Sequence, residues 1–252
     1  MESTERFGNR ADAYTRGRPT YPQSIVAHLE QAGMLNPGAT VVDLGVGTGL
    51  SAEPFLQRGY TVIGVEPNAA MRVAGDEQLR RHSNYRSVAG TAEATALPAG
   101  AADLVIAGQA FHWFDPERAA AEVRRLLRPA GAAALIWNDR QSTGSAFLSG
   151  YEALLRGHGI DYEKVSHRHV DADAIERFFA PARCEVAYFD NPRRVDREAL
   201  VALVESASYM PAAGDPRHAR MTAALDALFD ANAENGAVQM LYCTRMHYAR
   251  MN

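Results

Sequence analysis

Three glycines in one short stretch are the residues of this chain most closely tied to a particular chemistry. The stretch VVDLGVGTGL, residues 41–50, contains Asp43 and then places Gly45, Gly47 and Gly49 at alternate positions. Glycines at a strand-to-helix turn allow positive φ and let the backbone approach a ligand without an intervening Cβ. The spacing therefore predicts a loop that cradles a nucleotide.

The residues around these glycines distinguish between kinds of nucleotide loop. A dinucleotide fingerprint needs a small residue where this chain has Leu50, which disfavours a nicotinamide-dependent oxidoreductase. A P-loop needs a Lys-Ser/Thr pair after the glycines, and none follows here. A glycine-rich connector that holds no ligand stays open as an alternative.

A second candidate group is the stretch QAFHWF, residues 109–114, which follows a predicted strand at its carboxyl end. Imidazole titrates near neutrality, so His112 is the candidate catalytic base. The alternative is that His112 bonds within the loop or packs on its neighbours. Phe111, Trp113 and Phe114 form either an apolar wall of a ligand pocket or ordinary core.

Further candidates lie in the second half of the chain. Trp137 leaves a predicted strand at the same edge and is predicted to line the pocket, and Tyr209 is a candidate lid residue. An apolar helix face explains Tyr209 equally well. Four further residues stand at alternate positions, as metal ligands on one face of a strand would: His167, His169, Asp171 and Asp173. No third convergent ligand accompanies the two histidines, so no metal is expected.

Composition excludes several classes of protein. The 252 residues are 47% hydrophobic and 22% charged, which is typical of a globular chain and not of a disordered or fibrous one. The formal net charge of −4 and the absence of any basic block argue against a nucleic-acid partner.

Cysteine usage and hydropathy address the compartment. The two cysteines, Cys184 and Cys243, lie too far apart in sequence for a CxxC pair, so a reducing, cytoplasmic location is expected. No apolar run approaches the roughly 20 residues of a membrane span, and the polar stretch MESTERFGNR lacks the apolar segment of a signal peptide. We therefore expect neither export nor a membrane partner.

Strands alternate with helices through the first half of the chain. The predicted strands there are residues 39–46, 60–67, 84–89, 102–110 and 133–138. This alternation predicts a mainly parallel sheet with ligands at the carboxyl ends of its strands. Later elements are predicted as helices at 145–158 and 171–179, strands at 185–189 and 237–250, and a helical insertion at about 191–236. Pro129 and Gly131 are expected to separate a helix ending at Arg128 from the fifth strand.

Four separated parts of the sequence resemble the class I S-adenosylmethionine-dependent methyltransferases. Within that class they resemble the small-molecule "methyltransferase type 11" group, which includes trans-aconitate methyltransferase-like proteins. The stretches are YTRGRPTYP at 14–22, DLGVGTG at 43–49, VIGVEPNAAM at 62–71, and the pair GTAEATALP at 90–98 and AGQAFHWFDPE at 107–117. The resemblance spans residues from about 7 to 140. It implies an α/β fold: a Rossmann-like, doubly wound, mostly parallel seven-stranded sheet with helices on both faces and an α-helical lid.

The resemblance also implies residues that bind S-adenosylmethionine and its product S-adenosylhomocysteine. Gly45, Gly47 and Gly49 would pass beneath the methionine and ribose, and Asp43 would approach the methionine amino group. Glu66 would accept hydrogen bonds from both ribose hydroxyls, as a carboxylate can. A solvated strand-end acid is the alternative for Glu66.

The remaining implied cofactor residues are Tyr14, Arg18, Pro67, Met71, Thr91, Ala92, Glu93 and Gln109. Arg18 would pair with the cofactor carboxylate. Many relatives carry Asp at the position of Thr91, which puts the adenine contact in doubt, and Glu93 is equally explained as a solvated loop charge.

One domain over residues 1–252 is expected, with a cofactor-covering segment at 1–30, a cofactor core at 31–140, and the remaining strands and insertion at 141–252. The expected activity is in-line methyl transfer to a small-molecule acceptor, and the oligomeric state stays open. His112 is the candidate catalytic residue; the candidate substrate-binding residues are Phe111, Trp113, Trp137 and Tyr209. The alternatives are an RNA or protein methyltransferase and a non-catalytic S-adenosylmethionine-binding protein.

Overall fold

The computed structural model describes residues 18–160, 162, 171–207 and 209–251. Within these ranges the helices and strands are, in chain order, α1 Ser24–Gln31, β1 Thr40–Leu44, α2 Glu53–Gln57, β2 Thr61–Val65, α3 Ala69–Leu79, β3 Tyr85–Val88, β4 Ala102–Gly108, α4 Pro116–Leu126, β5 Leu127–Arg140, α5 Ala146–His158, α6 Ala172–Phe179, β6 Glu185–Asp196, α7 Arg197–Glu205, α8 His218–Asn232 and β7 Ala237–Arg250. None of the helices in these ranges is long and apolar enough to cross a membrane.

All seven strands form one sheet in the order β3-β2-β1-β4-β5-β7-β6. The first five pair in parallel, and β7 runs antiparallel to both β5 and β6. The central strands carry continuous apolar runs because helices cover both faces of the sheet. This arrangement confirms the predicted Rossmann-like, mostly parallel seven-stranded sheet.

Alternate residues of the central strands build two separate cores. Val42 and Val105 point into a core that includes Phe178 of α6. Val41 and Leu104 point to the opposite face, which α1, α2 and α3 cover. A third core joins α5, α7 and α8 to the start of β7 and carries the helical insertion.

The fifth strand begins earlier than predicted. The helix α4 begins at Pro116 and ends at Leu126, and Asp115 caps it by accepting the N–H of Arg118. The chain then enters β5 directly at Leu127, which pairs with Ala102 before the register shifts. Pro129 and Gly131 therefore lie in an irregular part of the strand and not in a linker, because a bulge accommodates both residue types.

The sixth strand is longer than predicted. Residues 190–196 continue β6 and pair with β7, so the helices of the insertion occupy only 197–232. Proline usually interrupts a sheet, yet Pro192 lies within β6 opposite Leu241 of β7. At the edge of the sheet a proline needs no ladder partner for its missing N–H, and β6 is an edge strand.

Candidate active site

A cavity of about 870 Å³ opens at the carboxyl ends of β1, β4 and β5. The strand order places β1 and β4 side by side with β2 and β5 on opposite sides, which is the switch point where ligands of such sheets bind. The loop after β1 forms one wall of the cavity. Side chains from α5, α7 and β7 form the facing wall.

The glycines after β1 have the backbone geometry that their spacing predicts. Their φ angles are +68° at Gly45, +54° at Gly47 and +90° at Gly49. A Cβ on Gly45 would lie 2.7 Å from the Cβ of Ala110, and one on Gly49 would lie 2.5 Å from a methyl of Leu79. The loop therefore depends on glycine both for its backbone conformation and for close packing beneath the cavity.

Asp43 lies fully buried at the end of β1, directly below this loop. Its Oδ2 accepts a hydrogen bond of 2.6 Å from the hydroxyl of Ser51. Its Oδ1 is buried and has no hydrogen-bond partner among the described residues. Burial raises the pKa of Asp43 to about 7, against the lowering effect of Ser51 and with a further increase from the nearby charge of Glu66.

Glu66 follows β2 and is 8% exposed, so its carboxylate is held and not simply solvated. Its two oxygens accept the backbone N–H groups of Gly47 at 3.0 Å and Asn68 at 2.9 Å. Burial raises its pKa, while the two N–H groups and the charge of Arg72 oppose that increase. Each oxygen keeps one further lone pair, so Glu66 can still accept two hydroxyl groups.

Neither Glu66 nor the predicted adenine residues are among the residues that line the main cavity. Pro67 is exposed, and Met71 is 7% exposed with its methyl close to Gly47. Thr91 begins a tight turn after β3, and Ala92 within it is buried. The carboxylate of Glu93 accepts the backbone N–H of Asp115, at the start of α4, at 3.0 Å, so Glu93 joins two loops.

Three residues after β4 reach the cavity as predicted. Gln109, His112 and Trp113 line it, and the Trp113 side chain is 49% exposed. Gln109 has φ +55°, a left-handed conformation that is strained for a residue with a side chain. His112 lies in a single 3-10 turn with its ring centroid 4.7 Å from that of Trp113.

Phe111 and Trp137 do not line the cavity, which corrects their predicted role in contacting substrate. Both are 2% exposed and belong to the core beneath the site. The Phe111 ring packs edge-on against Phe178 at 5.3 Å and Trp137 at 6.3 Å. The strand and turn geometry points these two side chains away from the cavity, and spacing alone does not reveal that direction.

The N-terminal covering segment is described only in part. Arg18 lines the cavity together with Pro19 and Tyr21. Tyr14, His167 and His169 lie outside the described residues. Of the acidic residues near the two histidines, Asp171 caps α6 by accepting the N–H of Asp173.

A group of tyrosines on the far wall was not singled out from the sequence, apart from Tyr209. The tyrosines that line this half are Tyr151, Tyr162, Tyr188, Tyr209 and Tyr242. Each stands alone in an ordinary helix or strand pattern, so no local signal marks them.

A guanidinium lies among these rings. The guanidinium carbon of Arg140 lies 5.0 Å from the ring centroid of Tyr151, and Arg140 is ion-paired with Glu152. Burial raises the pKa of Tyr151 well above its usual value, so this phenol is protonated at neutral pH.

Two buried oxygen atoms support a ligand at the glycine loop. Besides Asp43 Oδ1, the hydroxyl of Thr48 is buried without a hydrogen-bond partner in the described part of the chain. Buried polar atoms normally have partners, so an orphaned acceptor next to an open cavity fits a bound donor such as an ammonium group. Together with Glu66, these atoms fit a ligand that carries an amino group and a ribose.

Comparisons with known proteins agree with this geometry. Residues 42–135 match the family model described as a methyltransferase domain, Methyltransf_11. An uncharacterized methyltransferase of Mycobacterium tuberculosis is 40% identical over 136 residues, which are 53% of this chain and 52% of that protein. An uncharacterized methyltransferase of Schizosaccharomyces pombe is 34% identical over 131 residues, 52% and 51% of the two chains. This chain thus spans about half the length of these curated relatives.

A solved structure shows the same fold over nearly the whole chain. A structure from Anaeromyxobacter dehalogenans with a provisional type II methyltransferase assignment aligns with a TM-score of 0.68 at 22% identity. The alignment covers 93% of this chain and 98% of the other. Residues 42–135 are thus similar to a methyltransferase domain, and the seven-stranded sheet is the fold that the solved structure shares.

Proposed function

We propose that this protein transfers a methyl group from S-adenosylmethionine to a small-molecule acceptor bound in the tyrosine-lined half of the cavity. One observation carries the proposal: the glycine loop and the five tyrosines line the same cavity of about 870 Å³. A cavity of this size has room for a cofactor and a second small molecule.

The chain supplies binding and orientation on the cofactor side. Glu66 would accept the ribose hydroxyls, Asp43 would face the amino group, and Arg18 would pair with the carboxylate. The trans-aconitate methyltransferase-like resemblance of the N-terminal stretch supports this role for Arg18. Thr91 to Glu93 would flank the adenine, with Ala92 acting through its backbone.

S-adenosylmethionine, when bound, supplies a methyl group already activated on a positively charged sulfur. With the donor held there, the acceptor would displace a neutral thioether from the methyl carbon, and an acceptor that carries a proton would pass that proton to a base. The protein aligns the two reactants and excludes water. The walls formed by α5, α7 and β7 would provide both functions.

His112 is the proposed general base for an acceptor that carries a proton. It lies on the cavity wall, in the 3-10 turn that follows β4. Replacing it by Asn should lower kcat for such an acceptor while the affinity for S-adenosylhomocysteine stays within about twofold. Unchanged turnover would remove His112 from the chemistry.

A small acceptor is favoured over RNA or protein by the shape and charge of the chain. The acceptor half is walled by side chains of the insertion, including Leu203 and Tyr209. The net charge of −4 offers a polyanion little attraction.

Calorimetry with S-adenosylmethionine, S-adenosylhomocysteine and NAD tests the proposal directly. The first two ligands should bind at one site per chain, and NAD should not bind, because Leu50 stands where a dinucleotide loop has the small residue that lets its helix pack closely on the strand. Binding of NAD alone would overturn the proposal. Formation of S-adenosylhomocysteine in the presence of small-molecule extracts, but not in their absence, would then separate an enzyme from a non-catalytic binder.

A further inference from the structure

Before α1 the chain crosses one side of the cavity as a short segment, residues 18–21, which we call the strap. The strap belongs to neither a helix nor a strand, yet three of its four residues line the cavity. The hydroxyl of Tyr21 lies 2.9 Å from the position that a Cβ on Gly108 would take, and the hydroxyl of Ser51 lies 3.0 Å from it. The Tyr21 and Ser51 hydroxyls therefore both lie close to Gly108, at the end of β4.

Two side-chain amides hold the strap in place. The Nδ2 of Asn191 donates to the carbonyl of Thr20 at 2.8 Å. The Nδ2 of Asn138 donates to the same carbonyl at 3.3 Å and to that of Pro19 at 3.4 Å. Because the strap lies outside regular secondary structure, its carbonyls depend on such side-chain donors.

The amide of Asn138 is itself fixed on its other side. Its Oδ1 accepts the hydroxyl of Thr244 at 2.5 Å and the Nδ2 of Asn191 at 3.1 Å. Asn138 is only 7% exposed, and these bonds use all of the capacity of its amide group. A buried polar network in which every member is satisfied makes the groups that it joins rigid.

The same network reaches the strained residue at the end of β4. The side-chain Nε2 of Gln109 donates to the backbone carbonyl of Asn138 at 3.1 Å. The backbone N–H of Gln109 donates to the backbone carbonyl of Ile136. Asn138, near the end of β5, thus ties the strap to the end of β4 and to the middle of β6 and β7. Backbone strain of this kind persists where surrounding contacts hold it, and it occurs preferentially at functional sites.

We propose that Asn138 and Asn191 are positioning residues that hold the strap against the cavity and so set the affinity for the methyl donor, not the rate of methyl transfer. The inference rests on the proposed function, because the donor is the ligand that the strap would cover. Arg18 and Tyr21 of the strap line the cavity. Asn138 lines it as well and Asn191 does not, so the Asn191 variant isolates the effect that acts through the strap.

The test compares Asn138→Asp and Asn191→Asp with a matched control, Asn232→Asp. Each change keeps the side-chain shape and removes an amide donor. The Nδ2 of Asn232 also donates to a backbone carbonyl, that of Leu228, but in α8 and not at the strap. Asn191 is less buried than Asn138, so its variant is the one expected to fold without difficulty.

The first measurement is the NMR order parameter of the Thr20 and Tyr21 amides without ligand. We expect about 0.85 in the wild type and the control and below about 0.6 in the two strap variants. The second is calorimetry, where S-adenosylhomocysteine should bind about tenfold more weakly to each strap variant and equally well to the control. The kcat at saturating S-adenosylmethionine should change less than twofold.

Strap amides as ordered as in the wild type would overturn the positioning role, and this measurement needs no ligand. A loosened strap with unchanged affinity would overturn the effect on binding. If the wild type bound no S-adenosylhomocysteine, the proposed function would fail and with it the effect on affinity, whereas the order parameters would still decide whether the two amides hold the strap.

Discussion

Two carboxylates of the candidate site are buried by the fold, and each has fewer or more ordered hydrogen-bond partners than an acidic side chain in water. Glu66 is ordered by two backbone N–H groups, and Asp43 is fully buried with a single hydroxyl donor. One carboxylate is thus prepared to accept hydroxyl groups, and the other keeps an oxygen atom without a partner in the described structure. These two differences from ordinary acidic residues make separate predictions.

Replacing Glu66 by Gln should weaken S-adenosylhomocysteine binding about 10- to 100-fold. The substitution removes the negative charge and replaces one carboxylate oxygen by an NH₂ group, which donates where the oxygen accepted a backbone N–H. Glu77→Gln is the matched control, since Glu77 lies on the adjoining helix α3 with its side chain 69% exposed and paired with Arg80. Calorimetry measures both. Equal affinities for the two variants would show that Glu66 is not in the cofactor site.

The buried carboxyl of Asp43 should make stability depend on pH. Its pKa is 3.8 in the unfolded reference and about 7 in the fold, so between these values the folded protein binds more protons and loses stability as the pH rises. Asp43→Asn removes this dependence. The free energy of unfolding of the variant should therefore rise relative to that of the wild type by about 1.4 kcal/mol per pH unit from about pH 4 to 7. Above about pH 7 the difference should stay constant.

Urea unfolding of the two proteins at pH 5, 6, 7 and 8 measures the difference. Ser51→Ala removes the hydrogen bond that lowers the pKa of Asp43, so it should move the upper end of this pH range still higher. A difference between wild type and Asp43→Asn that is independent of pH would contradict the raised pKa.

At the scale of elements, the glycine loop is positioned by the helix that follows β2. Asn68 caps the helix α3, because its side chain accepts two backbone N–H groups of the first turn. Gly75, within the helix, faces the loop. A Cβ on Gly75 would lie 2.7 Å from the carbonyl oxygen of Gly47. The loop and the helix are therefore in backbone contact, and only a glycine at this position permits it.

Gly75→Ala should consequently push α3 away from the loop, lower the melting temperature and weaken S-adenosylhomocysteine binding. Gly157→Ala is the matched control in α5, because nothing lies within 4 Å of the position of its Cβ. Alanine favours a helix over glycine by up to about 1 kcal/mol, so the control should raise the melting temperature. Scanning calorimetry with and without ligand checks both, and a neutral Gly75→Ala would refute the packing argument.

At the scale of the whole molecule, different hydrophobic cores support different parts of the cavity wall. The cores on the two sheet faces position the glycine loop and Glu66, and the third core carries the far wall of the cavity. Phe55 of α2 lies in a core directly under the glycine loop, and Phe229 of α8 lies in the third core beneath the guanidinium of Arg197 at 4.4 Å. The same substitution at these two sites should therefore have different functional effects.

Phe55→Ala and Phe229→Ala should each lower the free energy of unfolding by about 3 to 5 kcal/mol, since both rings are buried. Only Phe55→Ala should also weaken S-adenosylhomocysteine binding. Phe229→Ala should instead raise the KM for the methyl acceptor once one is known. Denaturant titration and calorimetry separate the two effects, and equal losses of cofactor affinity would contradict this division.

The sequence by itself determined the cofactor side of the molecule. Asp43 and the alternate glycines are local signals, because a strand that ends in glycines has few backbone conformations and its neighbours in sequence are its neighbours in space. The role of Glu66 is implied only by the family resemblance. The parallel part of the sheet was predictable for the same reason, since the helix–strand period is a local property.

The tertiary structure alone decided the rest of the site. Tyr151 and Tyr242 are more than ninety positions apart in sequence yet share one wall, and Asn138 meets Thr20 across 118 positions. The directions of Phe111 and Trp137, and the strand at 190–196, depend on which elements pack against them. Local propensity has no information about such partners, which is why the cofactor cradle follows from the sequence and the acceptor wall and the strap do not.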